Sequence, residues 1–178
     1  MDPGVSEYEA GPMRDYARST AAHNTLTIDG LDQAEMWGAF RVGRRGRARV
    51  SEWAAAEDHF RLVAAYDGYG TLAGHPMHHR EITMSSDGLS VEDQIRSSVP
   101  VVGDGGFLLH PDCEVSAGER GEVLRRGNVS IESDSAATPD AARWLPGMGD
   151  ICATRRLLMR ESVGATALTH SFKVRSRA

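Results

Sequence analysis

Apolar and polar residues alternate with a period close to two along most of the chain, and almost nowhere with the period of a helix. Residues 25–28 (TLTI) place leucine and isoleucine on one face and threonines on the other, and stop at Asp29-Gly30, a strong turn pair. Residues 47–53 (RARVSEW) and 60–66 (FRLVAAY) read as two further strands, closed by a turn at Asp67-Gly68. The stretches 79–84 and 89–95 read as a hairpin across residues 85–88 (SSDG). Residues 107–110, 121–126, 128–133, 151–160 and 165–174 complete the strand signals. Residues 5–22, 103–106 and 134–150 carry no such period and are expected to be loops. Short strands separated by turn residues predict an all-β fold, an antiparallel β-sandwich of about ten to twelve strands, in a single domain.

Between these segments, residues 31–40 form a short amphipathic stretch containing Trp37. Residues 41–49 follow with five arginines in nine positions. Gly43 and Gly46 break any helical face there, so an arginine-bearing hairpin is expected, either a solvated turn or an edge facing carboxylates or sulfates.

Charge narrows the function. A net charge of −5 and a pI near 5.8 lack the basic footprint of a nucleic-acid binder. No window approaches the length of apolar sequence that spans a bilayer, and no membrane partner is expected. Met1-Asp2-Pro3 opens without the basic and apolar regions of a secretory signal. Cys113 and Cys152 show no metal-binding spacing, and two free thiols are expected rather than a disulfide.

The candidate chemistry gathers in the first thirty residues. Asp2-Pro3-Gly4 is a turn, and a polar loop runs from it to His23-Asn24, with Tyr8, Arg14, Tyr16 and Arg18 along its length. Loops this long without secondary structure tend to be functional or disordered. This one is suited to a polyanionic, hydroxyl-rich ligand. Asp2 and His23 suit a divalent ion, but two ligands alone do not make a site. His78 and His79 are neighbours in a strand, point to opposite faces, and read as structural.

The run Arg18-Ser19-Thr20-Ala21-Ala22-His23-Asn24-Thr25-Leu26-Thr27-Ile28-Asp29-Gly30, after Asp2-Pro3-Gly4, resembles the start of the β-sandwich domain of heparinase II/III-like polysaccharide lyases. Later stretches are similar too: residues 64–69 (AAYDGY), 78–82 (HHREI), 107–115 (FLLHPDCEV) and 144–150 (WLPGMGD). The resemblance implies a sandwich of the supersandwich kind. It also implies a part in β-elimination of uronate-containing acidic polysaccharide, the alternative being a non-enzymatic binding or structural module. It implies a tyrosine of this loop near the substrate, Tyr8 or Tyr16. Tyr16, flanked by Arg14 and Arg18, is the choice for the catalytic role. Arg14, Arg18 and Asn24 are expected to bind substrate, and the resemblance implies a metal, zinc or alternatively calcium, on Asp2 and His23. The third metal ligand of such proteins lies in a Gly-His-x-His-x-Asp segment, which this chain lacks. Their α/α-toroid domain is lacking as well, so the chain is expected to be a C-terminal part that is inactive alone. That reading also predicts an open sheet edge near Leu26 and Ile28, and self-association.

Overall fold

The computed structural model describes residues 1–86, 88–117, 122–127, 129–133, 137–163 and 168–176. One short helix, α1 (Pro12–Arg18), and a 3-10 turn (Thr20–Ala22) precede the strands. The strands are β1 (Leu26–Ile28), β2 (Met36–Trp37), β3 (Arg41–Val42), β4 (Ala48–Ala55), β5 (Phe60–Tyr66), β6 (Met77–Ser85) and β7 (Gly88–Arg96). They continue with β8 (Val101–Leu108), β9 (Glu114–Ala117), β10 (Glu122–Arg126), β11 (Val129–Ser133), β12 (Thr138–Trp144), β13 (Cys152–Val163) and β14 (Leu168–Ser176). All the strand pairs are antiparallel.

Two sheets make the sandwich. The small one runs β1-β8-β13-β12 and the large one β4-β5-β6-β7-β14-β11-β10-β9, while β2 and β3 stand apart as a hairpin. The core lies between them in two clusters. Leu26 and Ile28 of β1 meet Val101, Ile95 and Tyr69, and Leu157 and Met159 of β13 meet Val91, Leu124, Leu109 and Ala137. The small sheet does not reach across the large one. Trp53, Leu62, Ile82 and Val91 are successive register partners and so share a face. Val91 is buried, yet Trp53 is 65% exposed.

Three loop expectations are overturned. Residues 103–106 are not a loop but the middle of β8, flanked by β1 and β13. Their glycines hide the strand period because they leave room for neighbours. A Cβ on Gly105 would lie 2.5 Å from the Leu26 side chain, and one on Gly106 would meet the Arg156 guanidinium. Residues 134–150 likewise contain β12, whose Pro139 is tolerated because β12 is an edge strand. Residues 5–22 contain α1, with Pro12 at its first turn, Asp15 near the N-terminus and Arg18 in the last turn, as the helix dipole favours. β9 carries no strand signal in the sequence, while the two sandwich sheets together hold twelve strands among the described residues, within the range expected.

β1 ends the small sheet, as expected, and two of its outward carbonyls are taken by neighbours within the chain. The Tyr69 hydroxyl donates to the Leu26 carbonyl, and the Leu31 N–H donates to the Ile28 carbonyl at 3.0 Å. The cysteines are free, as expected, and both are half-buried.

Candidate functional site

Asp2 and His23 are brought together at the root of the loop. Gly4 turns the chain at φ +79°, donating its N–H to Asp2 Oδ1 at 3.0 Å, and the Leu145 N–H anchors the turn through the Pro3 carbonyl at 2.7 Å. His23 Nδ1 lies 2.9 Å from Asp2 Oδ2, and its Nε2 lies 3.1 Å from the Ala17 carbonyl. Burial pushes the Asp2 carboxyl up, but the Gly4 N–H and the His23 ring outweigh it and hold the group below its ordinary range. The Ala17 carbonyl can only accept, so Nε2–H donates to it, and Nδ1 is the ring nitrogen that faces Asp2. An imidazole nitrogen facing a carboxylate is a donor set that fits a divalent cation. Among the described residues no group of three or more His, Cys, Asp or Glu side chains could hold a metal.

Asn24 locks the next position. Its side-chain amide donates to the Met1 carbonyl at 3.0 Å and accepts from the Leu108 N–H at 2.7 Å. Its backbone carbonyl accepts from Arg80 at 2.5 Å. Arg80 and His78 both bind Asp93, a buried carboxylate that sequence reading passed over. The available signal was parity, since Asp93 falls on the same alternate positions of β7 as the core residues Val91 and Ile95.

Helix α1 splits its polar residues between two neighbours. Tyr16 faces β12, where its hydroxyl donates to the Arg143 carbonyl at 2.9 Å and accepts from the Arg143 N–H at 3.1 Å. Arg156 lies close by and donates to the Ala21 carbonyl. Its burial lowers the guanidinium's pKa, opposed by Tyr16, Asp140 and Asp104. Arg14 and Arg18 face the β2–β3 hairpin instead. Arg18 donates to the carbonyls of Gly38 and Arg41, and Arg14 Nε donates to the Ala39 carbonyl at 3.0 Å. Tyr16 is therefore not grouped with the two arginines around one point.

The arginine-rich stretch divides similarly. Arg44 turns inward and donates to the carbonyls of Gln33, Asp32 and Gly68, so it braces the fold rather than facing solvent. Arg41 and Arg45 are exposed.

The fold and the pinned loop define an all-β sandwich domain with one polar, helix-bearing edge. The chain belongs to the family described as "Heparinase II/III-like, C-terminal", whose profile matches residues 1–157. Among solved structures it is similar to a heparan sulfate lyase from Pedobacter heparinus, with a TM-score of 0.74, 14% identity, and coverage of 99% of this chain and 29% of that one. A mutant of that lyase superposes with a TM-score of 0.75 at 15% identity over the same shares, 99% and 29%. A heparinase III matches with a TM-score of 0.77 at 11% identity, covering 99% of this chain and 28% of that one. At these identities the likeness is one of fold, and the chain spans under a third of the length of those proteins. No curated protein matches the sequence. Among the described residues no helix is long and apolar enough to cross a membrane.

Proposed function

We propose that this chain is the β-sandwich part of a polysaccharide lyase that cleaves uronate-containing acidic polysaccharide by β-elimination, and that it is inactive alone. Family membership supports the reading, and one observation carries it. The loop bearing Arg14, Tyr16 and Arg18 is tied at its root by the Asp2–His23 contact of 2.9 Å, so the set is presented at a fixed edge of the sandwich. Elimination needs a base for the proton beside the carboxylate, a cation that neutralises that carboxylate, and an acid for the leaving oxygen. In this reading Arg14 and Arg18 supply positive charge along the polyanion on the hairpin side of α1, and Tyr16 handles a proton on the β12 side. Asn24 keeps the loop root in register with β8. Asp2 and His23 contribute two ligands to a divalent ion, zinc by its donor preference and calcium as the alternative. Such an ion supplies a structural cross-link at the base of the loop.

The remaining machinery belongs to a partner, the α/α-toroid domain implied by the resemblance. The test is to incubate the chain with heparin, heparan sulfate, alginate and hyaluronan, with and without a toroid domain in trans, and to follow the absorbance of the unsaturated uronate product. A flat trace alone and a rise with the toroid are expected. In the assembled protein Tyr16→Phe should lower the rate by about 10² or more. A rise from the pure chain would overturn the need for a partner.

One observation favours a second reading, a non-enzymatic polysaccharide-binding module. The Tyr16 hydroxyl is engaged by both backbone groups of Arg143. An unchanged rate in Tyr16→Phe, with polysaccharide still bound, would favour that reading for this chain.

A further inference from the structure

The β2–β3 hairpin is held to the body of the protein by arginines. Two nitrogens of Arg18 and one of Arg14 take the carbonyls of Gly38, Arg41 and Ala39. That anchoring carries Phe40 at the hairpin tip, where it is 70% exposed beside Tyr8, itself 55% exposed. The two rings lie 6.3 Å apart and within 26° of parallel. The Arg14 guanidinium sits 5.3 Å from the Tyr8 ring centre and 5.6 Å from that of Phe40. Only its Nε is engaged by a hydrogen bond among the described residues. Two stacked, largely exposed rings with a guanidinium lying over both form a composite surface.

We infer that Tyr8, Arg14 and Phe40 form a binding platform for an acidic pyranose, whose ring packs on the aromatic pair and whose carboxylate or sulfate meets Arg14. The inference rests on the polysaccharide reading above and adds the place of contact. A pyranose turns a C–H-lined, weakly positive face outward, which suits the negative face of an aromatic ring. A guanidinium held against those rings loses little freedom when its terminal N–H groups take both oxygens of an anion.

Two other surfaces show why the platform is the better candidate. The exposed Trp53 stands among Val50, Phe60 and Met84, an apolar setting on the sheet face opposite Arg61. The cavity of about 700 Å3 between α1 and the hairpin is lined by Asp15, Asp32 and Glu35, whose carboxylates oppose a polyanion.

The test measures binding of size-defined oligosaccharides from hyaluronan, which carries uronate without sulfate, from heparin, which carries both, and from neutral dextran. The unaltered chain should bind the two acidic ligands and ignore dextran. Tyr8→Ala and Phe40→Ala should each weaken acidic binding about tenfold, and Phe40→Leu, which keeps bulk but loses the flat face, nearly as much. Arg14→Gln should remove the preference for acidic over neutral ligand, and Trp53→Ala should change nothing. Tyr8 and Phe40 are exposed, so unchanged thermal melting should show that these variants fold. If the chain binds acidic oligosaccharides and the Tyr8 and Phe40 variants bind equally well, the platform is wrong while the polysaccharide reading stands. If the unaltered chain binds none of them, the platform falls, and the lyase reading is decided separately by the assay with the toroid in trans.

Discussion

Arg80 and Asp93 face each other across the β6–β7 ladder in a two-pronged pair, with Nε to Oδ1 at 2.6 Å and Nη2 to Oδ2 at 2.8 Å. The remaining arm of the guanidinium reaches the Asn24 carbonyl, so a charge pair in the large sheet fixes the residue that follows His23. Asp93 is 1% exposed and also bonds His78 at 2.6 Å.

Stability should fall in acid because of this pair. Burial pushes the Asp93 carboxyl up, but His78 and Arg80 outweigh it and bring the group from 3.8 down to about 2. A depressed carboxylate stabilises the fold above its unfolded value, and that stability is lost as the pH falls through the folded value. The contribution is about 2 kcal/mol at neutral pH, fading between roughly pH 4 and pH 2. Urea titrations at neutral pH and at about pH 3 should show the drop, and Asp93→Asn should flatten that part of the dependence. Asp93→Asn should itself cost about 3–5 kcal/mol, because it leaves Arg80 without its anion.

Gly4 should not accept a side chain. Its φ of +79° is strained for other residues, and a Cβ there would strike the Leu145 carbonyl. Gly4→Ala should cost about 2 kcal/mol or more, read as a lower denaturation midpoint. It should also loosen the Asp2 turn, so that the NMR signals of His23 shift.

Zinc titration tests the root of the loop. With two side-chain ligands the chain should bind zinc weakly, and His23→Ala should weaken it by about tenfold or more. Equal affinity with and without His23 would place the ion elsewhere.

The uncovered apolar face should make the chain associate. Val50 is 60%, Trp53 65% and Met84 52% exposed, and all three lie on the side that β13 covers farther along the sheet. Light scattering after size exclusion should show a mass that rises with concentration, and Trp53→Lys should lower it. A strictly monomeric species at high concentration would count against this expectation.

Legibility in the sequence followed side-chain parity. β7 alternates in burial because one of its faces meets the other layer, and the spans of β5 and β7 were readable to within a residue or so. The middle of β8 was unreadable because Gly105 and Gly106 surrender their positions to Leu26 and Arg156, leaving no side chains there to alternate. β12 was masked by Pro139, which only its place at the sheet edge makes harmless. At the site, Asp2 and His23 were legible as a pair because the family motif names them. The platform of Tyr8, Arg14 and Phe40 was not, because a hairpin anchored by backbone carbonyls leaves no mark on residue type. Phe40 looked like one more member of an amphipathic stretch.

The unequal widths of the two sheets divide the molecule by how its amides open. β8 and β13 lie inside the covered half, where deuterium should enter only when the whole chain unfolds. β4 is exposed along its full length and ends its sheet. Its amides should exchange through small local openings that leave the rest folded. A melting curve for this protein therefore measures its covered half, and the shelf formed by β4 and β5 can change its dynamics greatly without moving the midpoint.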